Sequence, residues 1–157
     1  MPPALSYAQR FEDLYLDLCF GEQAGGFYID IGAGHPIYDD ASFSSYLKGW
    51  RGVCVEPNPK LAQLGRAVRP RDTMVEALVS AHAGASPFHL VDDFHGFSTM
   101  IEAHAKLAYS EFGKASQVLM RPVSTLKAIC EHHAPPSFEF LKVDVEGAVA
   151  AVVHGGD

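Results

Sequence analysis

The chain of 157 residues suits one domain with a real core and leaves little room for a second. At 48% apolar, 20% charged and 11% aromatic residues it reads as a soluble globular protein, which excludes a disordered tail or a fibre. With 12 Lys and Arg against 19 Asp and Glu the net charge is −7, which repels phosphate backbones and argues against a nucleic-acid partner.

Ser6 and Gln9 stand at capping-box spacing, and Phe11, Leu14, Tyr15, Leu18 and Cys19 recur at helical intervals, which predicts an amphipathic helix over 7–20. Gly25-Gly26 breaks the chain, and the aromatic and β-branched run Phe27-Tyr28-Ile29-Asp30-Ile31 predicts a buried strand. The turn Gly32-Ala33-Gly34-His35-Pro36 leads to a short helical face at Phe43, Tyr46 and Leu47 that stops at Gly49. The unit then repeats. Gly52-Val53-Cys54-Val55-Glu56 predicts a second strand, and Asn58-Pro59 supplies an N-cap and first-turn proline for a helix carrying Leu61, Leu64 and Val68.

A third strand is predicted over 73–79 and a further one over 86–91, followed by a loop over 92–99. A helix over 101–112, an extended segment over 117–123 and a helix over 125–132 come next. Pro135-Pro136 precedes a strand over 138–144 that is apolar on both faces, as interior parallel strands are, and a helix begins at Glu146. Alternating strands and helices imply an α/β domain built on an open, mostly parallel sheet with helices on both faces. Ligands of such sheets bind beyond the carboxyl ends of the strands, where the strand order reverses. No apolar run approaches the roughly 18 residues of a membrane span. Met1-Pro2-Pro3 carries no secretion signal, so no membrane partner is expected and the cytoplasm is the expected location. Cys19, Cys54 and Cys130 are odd in number, widely spaced and set in apolar segments, and read as reduced core thiols.

The main chemical signal is Asp30-Ile31-Gly32-Ala33-Gly34, a carboxylate at a strand mouth followed by glycines that let a ligand approach the backbone. A plain strand-to-helix turn is the simpler reading of a lone G-x-G. A dinucleotide fits poorly, because the third glycine would fall at Ile37 and Asp30 would set negative charge beside a pyrophosphate. S-adenosylmethionine fits better, since its ammonium and sulfonium welcome carboxylates and its ribose needs an acceptor. Glu56, at the end of the second strand, can accept from both ribose hydroxyls, against the alternative of an acid that favours the next helix dipole. Asp144 and Glu146 place a third acidic position on the same sheet edge, again with helix-start electrostatics as the simpler alternative. Candidate bases are His35, His95 and Asp144, while His132-His133 reads as a helix-end pair. No metal site is expected, because Asp144 and Glu146 lack a readable third ligand.

The chain resembles the FkbM family of S-adenosylmethionine-dependent methyltransferases. The pieces that carry the resemblance are Ser6-Tyr7-Ala8-Gln9 with Glu12-Asp13-Leu14, the run from Gly26 to Pro36, the run from Gly49 to Pro59, Ser98-Thr99, and Phe140-Leu141-Lys142-Val143-Asp144-Val145-Glu146-Gly147-Ala148. The resemblance implies a Rossmann-like class I methyltransferase fold, with an N-terminal helix in 1–25, a cofactor-binding half in 26–91, an acceptor-side segment in 92–123, and a helix, the fourth strand and the next helix in 124–157. It implies Asp30, Gly32, Ala33 and Gly34 at the methionine end of the cofactor and Glu56 with Pro57 at its ribose. It further implies Glu76 and Ala77 near adenine, and Asp144 with Glu146 facing the transferred methyl and the acceptor. O-methylation of a small molecule or saccharide is the reaction implied.

The sequence departs from the family pattern in carrying Val149 where a glutamate is usual, and it lacks the last strands of the full fold. An apolar fourth strand left at an edge would pair with a second copy as a homodimer or take a partner. It would otherwise belong to a weak or inactive cofactor-binding module. A nicotinamide-dependent oxidoreductase is the third reading.

Overall fold

The computed structural model describes residues 5–91, 98, 100, 102, 106, 116–145 and 147–156. The loop predicted over 92–99 and the helix over 101–112 fall largely outside this set, as do His95, Thr99 and Glu146. No helix among the described residues is long and apolar enough to cross a membrane.

The chain begins with α1 (Glu12–Phe20), shorter than predicted. Phe11 takes a left-handed conformation with φ 64°, which stops the helix from running back to residue 7. Ser6 does not cap a helix. Its hydroxyl donates to the buried carboxylate of Asp13 at 2.6 Å, and the Tyr7 amide donates to the other oxygen at 2.7 Å, so the acid gathers the incoming chain.

A βαβαβ unit follows: β1 (Phe27–Ile31), α2 (Phe43–Leu47), β2 (Arg51–Val55), α3 (Pro59–Val68) and β3 (Thr73–Val75). Asn58 caps α3 as predicted, its side chain accepting from the Lys60 amide at 3.0 Å. The predicted third strand is two strands. β3 ends at Val75, and after Glu76-Ala77 the chain enters a second sheet as β4 (Leu78–Val79). There it joins β5 (Gly84–Leu90) and β6 (Gln117–Ser124), with β4 parallel and β5 antiparallel to β6. The Glu76 carboxylate stands at this joint and is ion-paired with Arg66 of α3 and Arg121 of β6. The chain closes with α4 (Leu126–His133), β7 (Phe140–Val143) and α5 (Val149–His154). Thr125 caps α4 by accepting from the Ala128 amide at 3.1 Å.

The larger sheet is parallel throughout and ordered β3-β2-β1-β7, with β7 at an edge among the described residues. Side chains along β1 alternate between its faces. Ile29 and Ile31 pack with Val53, Val55, Leu126, Ile129 and Val152 on the side of α4 and α5. Tyr28 packs with Cys54, Phe43, Tyr46 and Trp50 on the side of α2. Both faces are therefore covered, as a Rossmann-like α/β fold requires, and the strand order reverses between β1 and β7. Of the three thiols, Cys54 is buried and Cys130 half-buried, but Cys19 is exposed on α1, which corrects its assignment to the core.

Beneath the α2 face lies a buried polar network. The Arg69 guanidinium, 1% exposed, donates to Asp72 at 2.7 Å, to the Tyr28 hydroxyl at 2.8 Å and to Ser42 Oγ at 2.9 Å, and it is ion-paired with Asp40. Removing one partner of such a set strands the others without counter-charge. Arg69→Leu is expected to cost about 3–5 kcal/mol of unfolding free energy. Urea denaturation measures this, and a loss below about 1 kcal/mol would show that the network does not hold the fold.

Candidate active site

A cavity of about 1350 Å³ opens at the carboxyl ends of β1, β2 and β7. Its wall combines the glycine turn after β1, Val55 at the end of β2 with the three residues that follow it, Ala77 to Val79, and all of β7 with Asp144 and Val145. Residues 8–19 contribute Arg10, Tyr15, Leu16 and Cys19 to the same cavity. The strand order reverses at this point, where an open parallel sheet leaves a crevice between loops that depart to opposite faces.

The two glycines of the turn serve different ends. Gly32 has φ 76°, and a Cβ there would lie 1.9 Å from the carbonyl oxygen of Asp144, so the residue is glycine because the end of β7 packs on it. Gly34 has φ 65°, but a Cβ there would meet nothing within 4 Å. Gly34 thus leaves open space on the cavity wall, while its amide donates to Glu56 Oε2 at 2.8 Å.

Asp30 does not face the cavity. It is 0% exposed, and its Oδ2 accepts from Ser42 Oγ at 2.7 Å. Its Oδ1 is ion-paired with the Lys142 ammonium at 3.0 Å and has no hydrogen-bond partner among the described residues. In register, Asp30 on β1 stands beside Lys142 on β7, so a buried strand acid is answered by a half-buried strand lysine. Ser42 passes the contact on to Asp40, whose carboxyl is pushed up to about 6 by burial and by the neighbouring Asp30 charge, against the pull of Arg69.

Glu56 is 6% exposed and lines the cavity. Its Oε1 accepts from the Asn58 amide and its Oε2 from the Gly34 amide, both at 2.8 Å, so two of about four acceptor positions of the carboxylate are used. Burial pushes its carboxyl above the ordinary glutamate range, outweighing the two amides that pull it down. Asn58, 1% exposed, also lines the cavity, and its Nδ2 has no hydrogen-bond partner among the described residues.

Of the other residues singled out from sequence, Ala33, Gly34, His35, Pro57, Ala77 and Asp144 line the cavity. Glu76 does not, because Arg66 and Arg121 hold it at the joint between the sheets. The Asp144 side chain is 69% exposed, with its Oδ2 3.9 Å from Lys142 Nζ. His35 Nδ1 accepts from the amides of Ile37 and Tyr38 at 3.2 Å each, which places the ring proton of the neutral form on Nε2 and makes that atom a donor. Burial lowers the His35 pKa against the pull of Asp39, so the ring is neutral at pH 7. Lys142 and Asn58 had no site role in the sequence reading. A lysine inside an apolar strand was the available signal for Lys142, since lysine is rarely buried without a partner.

Among protein families, the one described as the methyltransferase FkbM domain matches residues 30–157. The chain belongs to this family. Comparisons with curated proteins and with solved structures found no match. The match begins at Asp30 and takes in the glycine turn, Glu56 and the β7 end, so the cavity described above lies mostly within the FkbM methyltransferase domain. The wall contributed by residues 8–19 lies outside the matched span.

The contrast between the two glycines is measurable. Left-handed backbone costs about 1–2 kcal/mol for a residue with a Cβ, so Gly34→Ala is expected to lose about that much stability. Gly32→Ala is expected to lose a further 1–3 kcal/mol or so from overpacking against β7. Equal denaturation midpoints for the two variants would refute the assignment of Gly32 to strand packing.

Proposed function

We propose that the protein uses S-adenosylmethionine to methylate a hydroxyl oxygen of a small polar or saccharide acceptor. The observation that carries this reading is Glu56 at the end of β2, beside the open space at Gly34 and the unpartnered Nδ2 of Asn58. A ribose diol needs two acceptor positions on one carboxylate, and Glu56 has about two left after taking its two amides. The residues present therefore fit the group. When bound, S-adenosylmethionine supplies an electrophilic methyl on a positively charged sulfur.

The chain's own residues then have three tasks. Glu56 orients the ribose, and Gly34 leaves room for the ligand to lie against the backbone. Asp144, exposed on the cavity wall at the end of β7, accepts the proton that the acceptor hydroxyl must lose. Holding the acceptor oxygen in line with the methyl is a positioning task, met by the walls of the cavity. Because Lys142 answers Asp30, the attraction for a cationic donor rests on the buried Glu56, the Asp144 charge being largely exposed and screened by solvent.

Calorimetry with S-adenosylmethionine and S-adenosylhomocysteine tests the donor. Binding that needs the ionised Glu56 weakens as pH falls through its raised pKa, hence at a higher pH than the roughly 4.3 of an ordinary glutamate. Glu56→Gln is expected to bind more weakly at pH 7 and to lose that pH dependence; a wild-type affinity and profile in this variant would count against the ribose contact. Asp144→Asn is expected to lower turnover on a hydroxyl-acceptor panel about a hundredfold or more while changing donor affinity far less. Donor binding without turnover on any acceptor would instead assign a binding module.

A further inference from the structure

The switch point between β1 and β7 presents a cation to the cavity, where the sequence suggests an acid. Lys142 Nζ donates to the Gly32 carbonyl at 2.8 Å and lies 3.0 Å from Asp30 Oδ1. Asp30 itself is sealed off, with its second oxygen held by Ser42 and no exposed surface. Lys142 is not sealed off: its side chain keeps 17% exposure and lines the cavity. An ammonium has three N–H groups, and Gly32 takes one of them, while Asp30 Oδ1 pairs with the ammonium by charge at 3.0 Å without meeting hydrogen-bond geometry. The Asp144 carboxylate, at 3.9 Å and largely exposed, lies beyond hydrogen-bond distance and is a weak competitor for the N–H groups that remain. Burial pulls the Lys142 pKa down, but Asp30 and then Asp144 raise it further, so the ammonium stays charged at pH 7.

We propose that Lys142 binds a carboxylate of the ligand through an N–H that Gly32 leaves available, and that Asp30 is the positioning residue whose charge holds the ammonium in place. For the donor proposed above the group is the carboxylate at its amino-acid end, and to that extent the inference rests on that reading. The glycine turn explains why the carboxylate comes here: Gly32 presents its carbonyl to Lys142, and Gly34 leaves the approach open. The arrangement gives Asp30 a reason to be fully buried. From behind the lysine, the Asp30 carboxylate fixes the ammonium without meeting the ligand.

The test compares S-adenosylmethionine with decarboxylated S-adenosylmethionine, which keeps the adenosine, sulfonium and amine but lacks the carboxylate. Calorimetry on the intact protein is expected to show a ten- to hundredfold preference for the carboxylate-bearing compound, the range of about one charge-assisted hydrogen bond. Lys142→Met alone would strand the buried Asp30 charge, so the decisive variant is Asp30→Asn with Lys142→Met, which removes both charges together. It is expected to bind the two compounds within about twofold of each other. Lys142→Arg, which keeps the charge on a differently shaped head group, is expected to retain part of the preference. Arg10 also lines the cavity and is the other cation to exclude. The proposal is overturned if the double variant discriminates like wild type, if Arg10→Ala abolishes the preference, or if wild type binds both compounds equally. A wild-type protein that binds neither compound refutes the donor reading, and this inference with it.

Discussion

A carboxylate with no exposed surface, set in the middle of a parallel sheet, must have its charge met from inside the protein, and the structure around the cavity is organised by how Asp30 meets that demand. On one side Ser42 donates to it and connects it to Asp40 and Arg69 below the sheet. On the other, Lys142 reaches across from β7. The first contact ties β1 to α2 and α3, and the second ties it to the strand where the sheet reverses. Asp30, Ser42, Asp40 and Arg69 thereby brace the walls of the cavity without lining it, whereas Lys142 lines it, so the lysine rather than the acid faces the cavity.

The two glycines after β1 make the same point in backbone terms. Both have positive φ, yet one is constrained by the Asp144 carbonyl packed against it and the other faces open space. A glycine-rich turn at the mouth of a strand thus does two jobs. It lets a neighbouring strand end come close, and it leaves one stretch of wall without side chains. Membership in the FkbM methyltransferase family is consistent with such a turn, but which glycine does which job depends on where β7 ends.

Much of the secondary structure was legible because its causes are local. The run of β1, the Asn58-Pro59 start of α3, the Thr125 cap of α4 and the apolar run of β7 are each signalled by residues within a few positions of each other. The misreadings occur where a distant contact overrides the local pattern. Ser6 and Gln9 have helix-cap spacing, but Asp13 folds back onto Ser6 and Tyr7, and Phe11 adopts a left-handed turn. Residues 73–79 have strand composition throughout, but Glu76 is pulled between Arg66 and Arg121, and the chain changes sheets there.

The sequence by itself determined the alternation of strands and helices, the parallel sheet and roughly where β1, β2 and β7 end, since these follow from side-chain periodicity and turn chemistry. It also determined that acids cluster at those ends. Tertiary structure alone decided which of those acids a ligand can reach. Lys142 and Gly32 are 110 positions apart, and only the pairing of β1 with β7 sets that ammonium between Gly32 and Asp30. The charge at the centre of the cavity wall depends on that pairing, because a strand's side chains acquire their neighbours from whichever strand lies beside it.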